Sequence, residues 1–474
     1  MLGLFNTLNL GARALQVQQA GVEIAGQNLA NINNPAYARQ RVDIQTSLPT
    51  PTPFGPEGTG AQVVAIQQLR NTLLDGQIQG ESSVGGYWNA QQNALENAQT
   101  ELGQFLNTSS SGGTSSTGSA STAQGLSDQL NNLFNAFQSV ATDPTSLTQR
   151  QALVNQAQSL TANFNQASQN LSSVNDMLNT SVSNGVTSAN QLLSDIASLN
   201  HQISDAEALG GGKANDLRDI RQQKLENLAN LVNVDTSAVA DGSVNISIGG
   251  TQLVSGQKVL DTLQSYDAGG GQLLVRTAAS GTPLTLTGGS IQGTIGARDG
   301  ALQTLRTGLD TLASALITQV NTVYQAGFDL NGNTGAALFT GTDAATIGVN
   351  SALLSDPSAV QAAGVAGAPG DNAVALALAQ LNQQPNATLG NQTFGNAYSQ
   401  QVAGFGNALA NANDQLANYT AVNTMLLKQR DSVSGVSIEE EMANLITFQS
   451  AYQASSKIIT TVDQMLQTLV AIKT

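Results

Sequence analysis

The sequence predicts a mainly α protein with an inserted β domain: terminal coiled-coil helices, an elongated helical bundle domain and a β-rich outer domain. Three observations carry this prediction. Both ends show a four-three apolar spacing, long a/d runs fill the middle, and the period switches to alternation near residue 244. Length alone allows roughly two to four domains in 474 residues.

Residues 1–40 are expected to form an N-terminal assembly helix. Leu4, Leu8, Gly11, Leu15, Gln18, Val22, Ala25, Leu29 and Ile32 alternate in steps of four and three, the seam of a coiled coil. The helix should stop before Pro35, because a residue preceding proline is pushed out of the α region. Asn31 to Asn34 are expected either to satisfy the last helical carbonyls or to take left-handed conformations, and Tyr37 offers an anchor. Residues 41–106 read as a Pro-, Thr- and Gly-rich extended linker or hairpin, then a helical pattern from near Gln67 to about Leu106. The tract SSSGGTSSTGSAST that follows is a flexible loop by composition.

Residues 107–234 read as a helical bundle of three long helices. Asp143-Pro144 makes a good N-cap and N1 pair, followed by Leu153, Ala157, Leu160, Phe164, Ala167, Leu171, Val174 and Leu178 in unbroken a/d alternation. A second run holds Leu192, Ile196, Leu199, Ile203 and Ala206, and after GGGK a third contains Leu217, Ile220, Leu228 and Leu231. In the β-rich insertion, 235–295, Val244, Ile246 and Ile248 alternate, Gly249-Gly250 turns, and Leu253 begins a return strand. Leu284 and Leu286 repeat the pattern before Gly288-Gly289. Residues 296–434 continue the bundle, with helix from about Asp299 to Tyr324, an Ala/Gly-rich mixed region, and helix from about Tyr398 to Asp431.

Residues 435–474 form the second assembly helix. Ser437-Ile-Glu-Glu440 is a capping box, with Glu439–Glu441 complementing the helix dipole. The stripe reads Leu445, Phe448, Tyr452, Ser455, Ile459, Val462, Leu466 and Leu469 on a rod about 50 Å long. Neither terminal helix has a neighbouring domain in sequence to pack on, so they are expected to pack on each other and on copies of themselves. Small or polar core positions (Gly11, Gln18, Ser455) weaken a lone helix pair and favour added partners.

Composition excludes several functions. The net charge of −15, with only 10% charged residues, argues against nucleic acid, which needs clustered cations. With no cysteine, disulfides and thiolate metal sites are out, which fits a cytosolic protein or an unusual export route. No run of about 18 apolar residues suggests membrane insertion, and MLGLFNTLNLGARALQ lacks the pattern of a cleaved signal peptide. His201, the only histidine, reads as a solvated helix residue. GGGK at 210–213 has Ala214 where a phosphate loop needs Ser or Thr, so it reads as a turn. DLNGNTG from Asp329 has Thr334 and Thr340 where a calcium loop needs Gly and Glu, and reads as an Asn/Gly hairpin turn. Trp88 reads as packing. No catalytic residue, cofactor site or metal site is expected, and the protein is not read as an enzyme.

VEIAGQNLANINNPAYARQRV, residues 21–42 less its first glycine, resembles the N-terminal signature of the bacterial flagellar axial proteins, the rod, hook and hook-associated proteins. Asn28, Leu29, Ala30, Asn31, Pro35 and Tyr37 match it, while Asn34 and Ala36 replace the usual Thr and Gly. The ending SGVSIEEEMANLITFQSAYQASSKIITTVDQMLQTLV looks like the family's C-terminal helix, and GTIGARDGALQTLRTGLDTLASALITQVN with FDLNGNTGAALF points to the hook-associated branch. The resemblance covers residues 1–45 and 430–474, extends to 285–345 and fades over the β insertion.

The resemblance implies a structural component of the bacterial flagellum at the hook–filament junction. It implies type III export without signal cleavage, an extracellular place in the flagellum, and helical self-assembly. Hook protein, hook-associated protein 3 and an export chaperone on the C-terminal region are the implied partners. The assembly interface would be Leu8, Leu15, Val22, Leu29 and Ile32 with Leu445, Phe448, Tyr452, Ile459, Val462, Leu466 and Leu469, forming an inner tube. Asn28, Asn31, Pro35, Tyr37, Arg39 and Arg41 would form the hinge to the outer domains. Arg39 and Arg41 are expected to pair with a neighbouring subunit's carboxylates or to solvate the turn, the subunit contact being preferred. The alternatives are another axial protein (hook protein or hook-associated protein 3) and a non-flagellar secreted coiled-coil adhesin or effector.

Overall fold

The structure, a computed structural model, describes residues 2–52, 55–106, 125–208, 210 and 212–472. The Ser/Gly/Thr tract lies outside them. In chain order the elements begin with α1 (Leu2–Ala30), β1 (Gln40–Thr46), β2 (Thr50–Thr52), β3 (Gly55–Glu57), β4 (Ala61–Gln68) and α2 (Thr72–Leu106). Next come α3 (Leu126–Thr142), α4 (Leu147–Ala208), α5 (Asn215–Leu231), β5 (Asp235–Ala238), β6 (Val244–Ile248), β7 (Thr251–Ser255) and β8 (Lys258–Val259). Then follow β9 (Leu263–Asp267), β10 (Leu273–Thr277), α6 (Gly289–Ala297), α7 (Gln303–Tyr324), β11 (Phe339–Thr340) and β12 (Gly348–Val349). The chain closes with α8 (Ser351–Ser355), α9 (Ala373–Gln380), α10 (Phe394–Ser434) and α11 (Ile438–Ile472).

The spine is α4, a single helix of 62 residues. The first two predicted bundle helices are one, because Val182, Val186 and Ala189 carry the buried stripe across the gap between Leu178 and Leu193, and nothing there breaks the backbone. Its start is Ser146, not Asp143-Pro144: the Ser146 hydroxyl accepts from the Gln149 amide at 3.3 Å. Asp143 instead ends α3, its amide donating to Ser139 O.

The two halves of α4 serve two cores. Leu153, Leu160, Phe164 and Leu171 pack with α3, α7, α9 and the first part of α10; Trp88 of α2 packs against the edge of this core. Val186, Leu193 and Ile196 pack with Leu225 and Leu228 of α5, Ile291 and Ile295 of α6, and the inward residues of the β block. Strands β5-β6-β7-β8 form an antiparallel sheet, and β9 pairs with β10. Gly249 and Gly250 turn between β6 and β7 with φ of 56° and 79°, a conformation that costs glycine least. Leu284 and Leu286 do not make a further ladder; only the bridge Arg276–Pro283 extends the pairing, and helix resumes at Gly289 rather than Asp299.

Two corrections fall near the N-terminus. Residues 61–68 are strand, paired antiparallel with β1 from Gln40–Gln68 to Thr46–Ala61, so helix begins at Thr72 and not at Gln67. Val63, Val64 and Ile66 are a β-branched run that suits a strand. A β2–β3 hairpin fills the Pro/Thr segment.

Candidate assembly interface and hinge

The first and last described helices, α1 and α11, lie against each other. On α11 the packed face is the predicted one: Val462 and Ser455 are buried, and Leu445, Phe448, Ile459 and Leu466 are half-buried. Tyr452 and Leu469 stay exposed, at 42% and 43%. On α1 the face is turned. Gly11, Val17, Gly21, Ile24, Ala25 and Asn28 are buried, whereas Leu8, Leu15, Val22 and Leu29 are only half-buried. Only Gly11 and Ala25 are shared with the predicted stripe, and the centre of the face moves back one residue, about 100° around the helix. The cause is close approach at glycine: Phe448 covers Gly21 and Ile459 covers Gly11. Ile32 is not in the helix; it lies in the turn after Ala30 and lines a cleft of about 520 Å³ with Pro35, Arg430, Ser434 and Glu440.

The hinge is a polar clasp built around Asn28, which is 1% exposed. Its Nδ2 donates to Gln40 O (2.8 Å) and Glu441 Oε2 (3.1 Å), and its Oδ1 accepts from Tyr37 Oη (2.8 Å) and the Gln40 amide (3.0 Å). One amide therefore joins α1, the turn, β1 and α11, with every hydrogen-bonding position used. Asn31 closes the helix, its Nδ2 donating to Gln27 O at 3.0 Å, and Asn34 Oδ1 accepts from the Ala36 amide. Of the two expectations for these asparagines, carbonyl satisfaction is observed; none of Asn31, Asn33 and Asn34 has positive φ. Pro35 is exposed at the tip of the turn.

Arg39 is paired within its own chain. Its guanidinium binds Glu440 (2.5 Å) and Glu441 (2.7 Å) of its own chain, and its amide donates to Ser434 O. Both carboxylates come within reach because α11 starts beside the hinge. Burial alone would lower the Arg39 pKa, but the bonds to Glu440 and the charge of Glu441 hold it above its ordinary value. Arg41 is exposed and donates to Gln67 Oε1 at 3.2 Å.

The clasp rests on the first turns of α5. Asp216 accepts from Gln27 (2.9 Å) and Gln40 (2.8 Å); Asp219 accepts from Gln68 (2.6 Å), Arg70 (2.8 Å) and the Ala38 amide (3.2 Å). Burial pushes the Asp219 carboxyl up to about 6 in spite of these donors. Burial first, then the charges of Asp216, Asp219 and Glu441, pushes the Tyr37 phenol well above its ordinary value. Gln40, Arg70, Asp216, Asp219 and Glu441 were not among the expected site residues. Glu441 did carry a signal: it stands four before Leu445 and seven before Phe448, an acid in register with the buried stripe.

The residues weighed for chemistry are absorbed locally. Asp329 accepts from the amides of Asn331 and Asn333 at 2.8 Å, so its carboxylate is taken up by its own loop. Glu207 closes the glycine turn by binding Arg218 and the Ala214 amide. His201 is exposed beside Asp205. Among the described residues no group of three or more potential metal ligands occurs, and no helix is long and apolar enough to cross a membrane.

Comparison with known proteins places this arrangement. The flagellar hook-associated protein FlgK helical domain matches residues 116–339, and the flagellar basal body rod FlgEFG protein C-terminal region matches 428–472. The chain is 26% identical to flagellar hook-associated protein 1 of Bacillus subtilis (strain 168), across 99% of this chain and 98% of that one. It is 23% identical to flagellar hook-associated protein 1 of Escherichia coli (strain K12), across 98% and 99%. The fold is similar to that of the flagellar hook junction protein FlgK from Burkholderia pseudomallei, with a TM-score of 0.63 at 17% identity, covering 76% of this chain and all of that one. With the two matched regions carrying the helical body and α11, and with relatives aligned from end to end, the chain is similar along its whole length to flagellar hook-associated protein 1.

Proposed function

We propose that this chain, a structural component of the flagellar hook–filament junction, takes its place there by helical self-assembly through α1 and α11. The observation that carries the proposal is the apolar surface left exposed on α11. After pairing with α1 it still exposes Met442 (43%), Ile446 (59%), Ile458 (40%), Met465 (53%) and Val470 (65%). Exposed apolar side chains of this kind, together with half-buried Leu8, Leu15, Val22 and Leu29, leave surface for neighbouring copies to cover. Repetition of one heterologous contact builds an open helical assembly, which suits a junction between two helical structures. The expected neighbours are hook protein on one side and hook-associated protein 3 on the other. An export chaperone on the same C-terminal face would keep it covered before assembly, and the assembled place is extracellular. The work proposed is mechanical and involves no catalysis.

The test is a full-length double variant, Ile446→Asp with Met465→Asp, expressed in cells lacking the native gene. These positions are exposed at 59% and 53%, so the fold by circular dichroism should be kept while hook-tip incorporation and filament growth are lost. Normal filaments from this variant would overturn the reading.

A further inference from the structure

We infer that the buried Glu441 carboxylate makes folding of the hinge at residues 28–41 conditional on α11, so that hinge and C-terminal helix lock as one unit. The inference concerns contacts inside one chain and stands apart from whether the exposed surface of α11 meets other subunits. Glu441 is 3% exposed and Asn28 is 1% exposed, and their hydrogen bond spans 413 positions of sequence. Without α11, Asn28 loses an acceptor and Arg39 loses both carboxylates. Without the hinge, Glu441 is a buried charge with no cation. Leaving one member of such a set buried and unpaired costs more than the contact is worth when made. The hinge and the start of α11 therefore form together or not at all, and each stabilises the other by the same factor.

Glu440 supplies the internal control. It binds the same guanidinium at 2.5 Å, yet it is 61% exposed, so water replaces Arg39 at little cost. A partner that draws α11 away would, by this coupling, also release Tyr37 and the Asn-rich turn.

Hydrogen exchange on the full-length protein tests this. Glu441→Gln should speed exchange of the Arg39 and Gln40 amides by about tenfold or more, while Glu440→Gln should change them by less than about twofold. In the reverse direction, Asn28→Ala should speed exchange of the Glu441 amide, which donates to Ser437 O, by a similar factor. Val462→Ala, about 30 Å further along α11, weakens the helix pair without touching the lock and should leave the hinge amides protected. Equal effects of Glu440→Gln and Glu441→Gln would overturn the inference. Hinge deprotection by Val462→Ala as large as by Glu441→Gln would do the same. A loss spread evenly over α4 would also count against it, because the lock confines its effect to the hinge and the first turns of α11.

Discussion

The ring of Phe448 on α11 covers Gly21 of α1 so closely that a Cβ at Gly21 would stand 2.5 Å from ring carbon Cδ1. Three of the four glycines on α1, Gly11, Gly21 and Gly26, stand in graded surroundings, which orders the effects of alanine. At Gly11 the nearest atom is Ile459 Cγ1 at 2.8 Å, a single aliphatic carbon rather than a ring; at Gly26 nothing lies within 4 Å. Alanine gains up to about 1 kcal/mol over glycine in a helix interior, while overpacking costs roughly 1–3 kcal/mol. Gly26→Ala should therefore stabilise α1, Gly11→Ala should be near neutral, and Gly21→Ala should destabilise the pair. Amide exchange along α1 reads the order, and stabilisation by Gly21→Ala would show that Phe448 does not pack as described.

The two hinge arginines should separate clearly. Arg39→Gln strips the buried Glu441 of its cation and is expected to cost about 2 kcal/mol of local stability, whereas Arg41→Gln on the surface should stay within about 0.5 kcal/mol. Limited proteolysis at the Asn31–Tyr37 turn measures both. Equal cleavage in the two variants would put Arg39 back on the surface.

Much of this architecture is legible in the sequence, for reasons that also define what is not. The α11 stripe from Leu445 to Leu466, apart from exposed Tyr452, coincides with the packed face because apolar side chains announce a buried face. The α1 face is missed by one residue because its centre holds Gly21, which has no side chain for periodicity to register, and polar Asn28. The merger of two predicted helices into α4 is hidden by Ser183, Asn184 and Gly185, weak helix formers that tertiary packing carries. The clasp is the least legible part. The sequence motif points to Asn28 and Tyr37, but nothing local says that Asp216, Asp219 and Glu441 meet them across hundreds of residues.

Asp219 should give the hinge a pH dependence of known sign. Its carboxyl rises from 3.8 to about 6 on folding through burial, against the pull of Arg70 and the Ala38 amide. The folded state then holds the proton more tightly than the unfolded one, so this group's stabilisation is full below pH 3.8 and is lost as pH rises through 6. Two pKa units bound the effect at roughly 3 kcal/mol. Glu207 works in the opposite sense and in a lower window: Arg218 holds it down at about 2, so its contribution is lost as pH falls from 4.5 toward 2. Between about pH 4.5 and 6, protection of the Ala38 amide should fall with rising pH in the native chain and stay flat in Asp219→Asn. A native profile as flat as the variant's would mean that Arg70 and Gln68 keep Asp219 charged throughout.

Asn200 and His201 are adjacent on α4, and only one of them should matter for stability. Asn200 is fully buried. Its Nδ2 donates to Val244 O (2.8 Å) and Gly256 O (2.6 Å), and its Oδ1 accepts from the Val244 amide (3.2 Å) and Arg221 Nη1 (2.9 Å). This side chain fastens strands β6 and β7 to the helical spine. Arg221, 6% exposed and pulled down to about 10 by burial, stays charged at neutral pH and would keep only Gly242 O on this nitrogen if Asn200 were removed. Asn200→Ala should therefore cost roughly 3 kcal/mol, raising exchange of the β6 and β7 amides by about a hundredfold. Asn200→Asp should not rescue it: the added charge suits Arg221 but turns an acceptor toward Val244 O and Gly256 O. His201→Ala, exposed and tied only to exposed Asp205, should stay within about 0.5 kcal/mol. If both alanine variants exchange like the native protein, the β block is held by its apolar core alone and the Asn200 bonds are incidental.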